Sequence, residues 1–123
     1  MDEPKNDLEA ALFKGSAGSA TEVFLAQLLR SIIFVPSSTE VQADGRGLVP
    51  IVYDRAGVKM VAAFTDMDRI EPRQLELAKF CLQIEASWFI KNMPPEMGVV
   101  LLAGHGRGCE LMPHALADLR SRL

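Results

Sequence analysis

The chain is poor in the residues that form reactive or metal-binding clusters: it has two cysteines, two histidines, one tryptophan and one tyrosine among 123 residues. Cys81 and Cys109 lie far apart and lack the Cys-x2–4-Cys spacing of a zinc clamp. We therefore expect buried thiols rather than a disulfide. Long apolar runs are also missing, since the longest charge-free stretch, residues 97–106, spans only ten residues. A membrane-spanning helix needs roughly 20.

The charge balance is mildly acidic, with 13 basic against 16 acidic side chains and a net charge of −3. A nucleic-acid-binding domain normally carries a basic face, so a nucleic-acid partner is not expected. The first seven residues are acidic and polar, the opposite of a secretory signal. These features predict a soluble cytoplasmic protein without a membrane partner. A hydrophobic content of 49% is enough for one globular domain with a genuine core.

Helical periodicity in the first third of the chain predicts two helices, Leu8–Lys14 and Glu22–Ser31, the second with a broad apolar stripe. Thr65, followed by acidic residues, offers the N-cap of a further short helix. We divide the chain into residues 1–18, a loosely ordered N-terminal segment with a short helix, and residues 19–123, a single α+β domain.

Three runs in the middle of the chain predict strands. Ile32–Val35 is rich in β-branched residues and ends at Pro36. After a polar loop, Leu48–Tyr53 and Val58–Phe64 flank a four-residue turn that ends in Gly57, which is typical of a β-hairpin.

Residues 72–92 admit two interpretations. One helix over Arg73–Lys91 would place Glu85 in the middle of a wide apolar arc, where an unpaired carboxylate is costly. A strand over Lys79–Glu85 buries no charge, because apolar and polar residues alternate along it. We favour the strand.

The favoured strand directs Phe80, Leu82 and Ile84 inward, and a short helix, Trp88–Asn92, follows it with Ser87 as its cap. Both aromatic residues of that helix cannot easily face inward. Either one of them presents an apolar anchor at the surface, the type of side chain enriched at interface hot spots, or both cap the edge of the core, since aromatic residues dominate cores as well as interfaces.

The last quarter of the chain predicts strand, hairpin, strand and helix. The apolar run Val99–Ala103 meets a glycine-rich turn, a second short run follows, and Pro113 opens an amphipathic helix. The whole pattern predicts an α+β fold, with a five- or six-stranded, mostly antiparallel (mixed) sheet flanked by helices.

This order of elements resembles the N-terminal domain of the SseB-like protein family. The matching features are the helix from Glu22 that leads into Ile32–Pro36 and the hairpin of Val49–Tyr53 with Val61–Thr65. A third is the C-terminal strand, hairpin and strand over Gly98–Pro113. Where the family commonly has an Asn-Pro-Gly turn, this chain has Ala103-Gly104-His105. The resemblance implies an α+β domain of a bacterial protein with helices flanking its sheet. It implies no particular reaction.

The turn Gly104–Gly108 could expose backbone N–H groups to a phosphate, with Arg107 pairing with an oxyanion. Its glycine spacing matches neither a P-loop nor a dinucleotide fingerprint, and a strand follows it instead of a helix. The glycines are better explained as the positive-φ residues of a tight hairpin.

Candidate nucleophiles and metal ligands are equally sparse. Cys81 with His105 or His114 is the best catalytic pair, yet nothing in the sequence directs a histidine toward the thiol. The same residues with Cys109 lack the spacing of a zinc site. We therefore predict no catalytic residue, no metal-binding residue and no cofactor.

The sequence accordingly predicts a non-enzymatic protein-interaction or adaptor domain that binds a protein partner or a second copy of itself. Its predicted partner-binding residues are Trp88, Phe89, His105 and Arg107. The alternative is a small ligand-binding or enzymatic domain that uses the neighbourhood of Cys81, His105 and Arg107. Convergence of those three side chains on one concave pocket would favour the alternative.

Overall fold

The computed structural model describes residues 4–14, 22–42, 46–104 and 107–123. Over these residues it contains five α-helices, one 3₁₀ turn and a single six-stranded mixed sheet, which confirms the α+β prediction. The elements are α1 (Asp7–Lys14), α2 (Glu22–Leu29), β1 (Ile32–Ser37), β2 (Val52–Arg55), β3 (Val58–Phe64), the 3₁₀ turn (Met67–Arg69), α3 (Pro72–Leu77), β4 (Phe80–Glu85), α4 (Ala86–Asn92), β5 (Gly98–Leu102), β6 (Gly108–Leu111) and α5 (Pro113–Ser121).

The strands lie in the order β4-β1-β3-β5-β6, and β2 also pairs with β3. Every pairing is antiparallel except that of β3 with β5. That parallel pair requires a crossover connection, which the 3₁₀ turn, α3, β4 and α4 supply. β1 meets β3 at Phe34 opposite Phe64, while β2 meets β3 at its other end.

Alternation along the strands divides the core between the two faces of the sheet. One face carries the larger cluster, in which α1, α2, α4 and α5 bury residues such as Leu8, Phe24 and Leu116. The opposite face carries a smaller cluster built on Ala62, Phe64 and Ile70, with Cys81 and other half-buried residues packed against it. Each fully buried large apolar side chain contributes about 1.5–3 kcal/mol, so the helical face dominates stability.

The hairpin of β2 and β3 is tighter than the sequence predicts. β2 begins at Val52 rather than Leu48, and the turn has two residues instead of four. Ala56 and Gly57 both have positive φ, at 52° and 89°, as the favoured two-residue hairpin turn requires. The Asp54 carboxylate accepts a hydrogen bond of 2.8 Å from the Gly57 N–H and fixes the turn.

The strand interpretation of the ambiguous segment is confirmed, because β4 replaces a continuous helix. Two details of it were wrong. The following helix begins at Ala86, directly after Glu85 in the N-cap position, so Ser87 is not its cap. Phe80 shares a face with Leu82 and Ile84 but is 44% exposed, because it begins a strand that has a neighbour on one side only among the described residues.

Other boundaries shift for local reasons. β1 continues through Pro36, although the sequence predicts a stop there. Proline is tolerated because its missing N–H falls on the side of β3, which pairs with β1 only at Phe34. Asp66, and not Thr65, caps the 3₁₀ turn, with its carboxylate accepting from the Asp68 N–H at 3.0 Å.

Candidate functional site

An apolar groove of about 320 Å³ opens on the helical side of the molecule, between α4, the segment that follows it, and the start of β2. All of its lining residues except Asn92 carry apolar side chains; they include Leu48, Pro50, Val52, Trp88, Pro94 and Met97. The volume reaches the lower end of the range of small-molecule pockets, and a chain with one or two apolar side chains would also fit. We call this feature the apolar groove.

Helix α4 divides the two aromatic residues as the sequence predicts. Phe89 is 4% exposed and belongs to the main core, whereas its neighbour Trp88 is 40% exposed and forms one wall of the apolar groove. Adjacent helical positions differ by about 100° in direction, so one short helix cannot bury both side chains. Of the two aromatic side chains, the indole of Trp88 is thus the one that is exposed at the surface.

Of the other two predicted partner-binding residues, the structure describes only Arg107. His105 lies outside the described residues. Arg107 lies in the turn between β5 and β6 and does not line the groove. Its guanidinium carbon is 4.3 Å from the centroid of the Phe13 ring, which fits a cation–π contact between that turn and α1.

A second cavity, of about 480 Å³, lies on the opposite face of the sheet. Its floor is apolar and includes Phe64, Val100 and Leu102, while its rim is polar and includes Arg69, Glu71, Gln74, Arg107 and Glu110. We call it the charged-rim cavity.

The rim groups of this cavity are largely engaged by the protein itself. Glu9 binds Arg69, and the Arg55 guanidinium lies 3.1 Å from the Glu110 carboxylate. The Gln74 amide oxygen accepts from the Glu71 N–H at 3.0 Å. These pairings reduce the capacity of the rim to bind a charged ligand.

The glycine-rich turn at the end of the charged-rim cavity has the role expected of a hairpin. Gly104 has a φ of +78°, and its carbonyl oxygen accepts the Arg107 N–H at 2.9 Å. The hairpin interpretation therefore holds at Gly104, while residues 105 and 106 lie outside the described part of the chain.

Neither of the two cavities described above brings Cys81 and Arg107 together. Cys81 lines neither the apolar groove nor the charged-rim cavity, although Arg107 does line the latter. Its sulfur contacts the carbonyl oxygen of Leu82, at 3.9 Å. Burial raises the pKa of the Cys81 thiol, which disfavours the nucleophilic thiolate. Both cysteines are free, as the sequence predicts.

The most perturbed charged group belongs to a buried ion pair that the sequence analysis missed. Glu9 of α1 is fully buried and Arg69 is 7% exposed. The guanidinium donates two hydrogen bonds to the carboxylate, at 2.7 and 2.9 Å. Thr65 donates its hydroxyl proton to the same carboxylate, and the Lys5 N–H donates at 2.9 Å. Four donors thus hold one buried anion.

These donors determine the ionisation of Glu9. Burial by itself would raise the pKa of this carboxyl, but hydrogen bonds from Arg69, Thr65 and Lys5, together with the positive charge of Arg69, lower it from 4.5 to about 2. The ion pair connects α1 to the 3₁₀ turn, although Glu9 and Arg69 are 60 positions apart in the sequence. Because every donor comes from within the protein, we assign the pair a structural role.

Glu9 should make the stability of the domain depend on pH. Its pKa is lower in the folded state, so its contribution is complete above pH 4.5 and is lost as the pH falls toward 2. We expect the difference in unfolding free energy between wild type and Glu9→Gln to shrink by about 2–3 kcal/mol between pH 6 and pH 2.5. Urea denaturation checks this, and the difference should stay constant between pH 6 and 8. A constant difference down to pH 2.5 would contradict the assignment.

Within the described ranges, no group of three or more histidine, cysteine, aspartate or glutamate side chains is arranged to hold a metal ion. Among the same residues, none of the helices has the length and apolar character needed to cross a membrane.

The family of the chain is decided by one comparison. The family model of the SseB protein N-terminal domain matches residues 8–118, which is most of the chain. The chain belongs to this family. The searches of curated proteins and of solved structures found no match.

The extent of the SseB match bears on the N-terminal segment. Because the match begins at residue 8, it includes α1 from Leu8 onward, a part of the chain that the sequence places in the segment 1–18. Leu8 and Leu12 of α1 are buried in the main core of this SseB domain. The boundary between residues 18 and 19 itself stays a prediction.

Proposed function

We propose that this SseB domain is a non-enzymatic protein-interaction or adaptor domain, and that its partner inserts an apolar side chain into the groove beside Trp88. The observation that carries the proposal is the exposed indole within an otherwise apolar depression. A tryptophan that is 40% exposed leaves roughly 100 Å² uncovered, so a partner that covers it gains about 2 kcal/mol from that residue. Tryptophan is also among the residues most enriched at hot spots.

The shape of the groove supports a partner segment rather than a flat partner surface. Val52 of β2 is 41% exposed and also lines the groove, so an inserted side chain would contact apolar groups of β2 as well as of α4. Phe89 and Val61 close the bottom and belong to the core, which keeps the groove preformed. A preformed site loses little conformational entropy when it binds.

We also place this interaction in the cytoplasm, with a protein as the partner. Two free cysteines are typical of a reducing compartment, which supports the location. The alternative, a ligand or enzymatic site around Cys81, His105 and Arg107, has less support, because Cys81 and Arg107 do not share a cavity.

The test is Trp88→Ala, with Leu77→Ala as the matched control. Leu77 is 70% exposed on α3 and does not line the groove, so its variant also removes an exposed apolar side chain. We expect Trp88→Ala to remain folded, with a loss in unfolding free energy of about 1–2 kcal/mol, and to weaken partner binding at least about tenfold.

Binding is measured in two steps. The tagged domain captures partners from its host, and quantitative mass spectrometry compares wild type with both variants. The identified partner is then purified and titrated against each by calorimetry. Equal affinity of wild type and Trp88→Ala for that partner would refute the proposal. A loss of 3–5 kcal/mol in the stability of Trp88→Ala would assign the indole to the core instead.

A further inference from the structure

Strand β4 forms an open edge of the sheet. It is the terminal strand of the order β4-β1-β3-β5-β6, and among the described residues only β1 pairs with it. Its register with β1 runs without interruption from Ile32 opposite Glu85 to Ser37 opposite Phe80. The strand therefore has neither a bulge nor an internal proline, two devices that commonly protect an edge from pairing with another chain.

The alternation of hydrogen-bonded and non-hydrogen-bonded residue pairs between β1 and β4 shows which backbone groups of β4 point away from the sheet. The Ala86 N–H donates to the Ser31 carbonyl at 2.9 Å, so the pair Ser31–Ala86 is a hydrogen-bonded one. Hydrogen-bonded and non-hydrogen-bonded pairs alternate along an antiparallel ladder. The even-numbered residues of β4 thus direct their backbone groups toward β1. Cys81, Gln83 and Glu85 direct theirs outward, away from the sheet.

The sequence around this edge is complementary to itself. Lys79-Phe-Cys-Leu-Gln-Ile-Glu85 has a basic residue at one end, an acidic residue at the other and, apart from Gln83, apolar residues between them. If the segment is reversed about Leu82, Lys79 stands opposite Glu85 and Phe80 stands opposite Ile84. Neither Lys79 nor Glu85 forms an ion pair with another described residue, and both are exposed.

We propose that two copies of this chain pair through β4, antiparallel and about a two-fold axis at Leu82, to form one continuous sheet. The outward backbone groups of Cys81 in one copy bond to those of Gln83 in the other. Lys79 and Glu85 form an ion pair at each end of the segment. Self-pairing of one surface patch about a two-fold axis is the ordinary way in which soluble proteins form closed dimers.

The backbone phase and the charges select this register. Only residues with outward backbone groups can stand opposite each other as hydrogen-bonded pairs, which excludes the register that would place Phe80 opposite Glu85. Among the registers that remain, a shift by two residues in either direction separates Lys79 from Glu85. The register centred on Leu82 is thus the one that allows both the backbone hydrogen bonds and the two ion pairs between Lys79 and Glu85.

The proposed pairing also covers exposed apolar surface. Phe80 is 44% exposed and Ile84 is partly buried on the same face of the strand. Directly opposite side chains of adjacent strands lie within contact distance, so each Phe80 would pack on the Ile84 of the other copy. The exposure of Phe80, which departs from the inward position that the sequence predicts, has an explanation in this pairing.

A charge exchange tests the proposal. Wild type should sediment as a concentration-dependent dimer in analytical ultracentrifugation. Lys79→Glu places like charges opposite each other twice, through the symmetry, and should raise the dissociation constant at least about tenfold. Glu85→Lys should act likewise, and the double variant Lys79→Glu/Glu85→Lys should recover the wild-type constant within about threefold. Circular dichroism verifies that each variant is folded.

A disulfide trap tests the register. Gln83→Cys places a thiol directly opposite Cys81 of the other copy, at a Cα–Cα distance of about 5.5 Å, which a disulfide can span. Mild oxidation should give a covalent dimer on a non-reducing gel. The control variant, Cys81→Ser/Gln83→Cys, lacks the opposing thiol and should remain a single chain on the same gel.

Three results would overturn the pairing: a strictly monomeric wild type, a double charge variant that fails to recover association, or oxidation that gives no covalent dimer. Trp88→Ala separates this inference from the proposed function, because Trp88 lies on α4. Although Leu82 of β4 also lines the groove, the variant leaves the outward backbone groups of β4 and the charges of Lys79 and Glu85 unchanged. That variant should retain the dimer. If it dissociates the dimer while Lys79→Glu does not, the groove and not β4 joins the two copies.

Discussion

Replacing Arg69 with methionine should lower the free energy of unfolding by about 3–5 kcal/mol, because the substitution leaves the Glu9 carboxylate buried without its counter-charge. Glu9 is fully buried, and two of its four hydrogen-bond donors are on Arg69. Methionine keeps the unbranched apolar stem of arginine and removes the guanidinium, so the cost reflects mainly the unpaired anion. Urea denaturation at pH 7 provides the measurement.

A double variant tests whether the loss of stability in Arg69→Met comes from the unpaired charge of Glu9. Glu9→Leu/Arg69→Met replaces both partners with apolar side chains and should be much more stable than Arg69→Met, since it leaves no buried charge. Asp68→Asn is the control for an exposed pair: Asp68 lies 3.4 Å from the Lys5 ammonium, its side chain is 74% exposed, and its removal should cost less than about 1 kcal/mol. Equal losses for Arg69→Met and Asp68→Asn would show that burial adds nothing to the ion pair.

Phe64→Ala should have an effect of similar size, a loss of about 3–5 kcal/mol, because it opens a cavity in the smaller core cluster. Phe64 is 1% exposed on the central strand β3 and packs with Ala62 and Ile70. It also forms part of the floor of the charged-rim cavity, so its removal joins that cavity to the new void.

Phe64→Leu is the matched control, since it keeps most of the side-chain volume and should cost about 1–2 kcal/mol. Thermal and urea unfolding of the two variants measure the difference. A loss below 1 kcal/mol for Phe64→Ala would mean that the smaller cluster adds little to stability, and that α3 and the 3₁₀ turn cover this face only loosely.

The fold could be predicted from the sequence wherever the periodicity of apolar residues agreed with the side chains that the structure buries. The β4 segment shows why: a helix there would have buried Glu85, whereas alternation leaves it exposed, as the structure has it. The parallel pairing of β3 with β5 could not be predicted in this way. It depends on how the chain crosses over the sheet, and no turn residue or periodicity encodes that.

The exposed aromatic of the candidate site was predictable, and the rest of the site was not. Two adjacent aromatics on a short helix cannot share one face, which gave the division between Trp88 and Phe89. The groove itself is assembled from segments distant in sequence, such as Leu48 and Met97, that carry no motif. Arg107 does not line the groove that contains Trp88, and its role in partner binding stays a prediction.

Glu9 shows a different limit of sequence analysis. It lies between Leu8 and Ala10 on a helix with a mixed pattern, and an acidic residue in a first helical turn is ordinarily a solvated one that favours the helix dipole. Only its partner makes burial possible, and that partner is 60 positions away. A signal was present in Arg69, a basic residue just before the apolar Ile70, but nothing local connected the two.

The length of that connection has a consequence for the newly made chain. Synthesis proceeds from the N-terminus, so α1 leaves the ribosome long before Arg69 does. Until then the carboxylate of Glu9 keeps its water, and α1 lacks the contact that holds it to the 3₁₀ turn. Contacts of high sequence separation form late because the loop between them must close first. We therefore expect the N-terminal helix to be among the last elements to dock during translation.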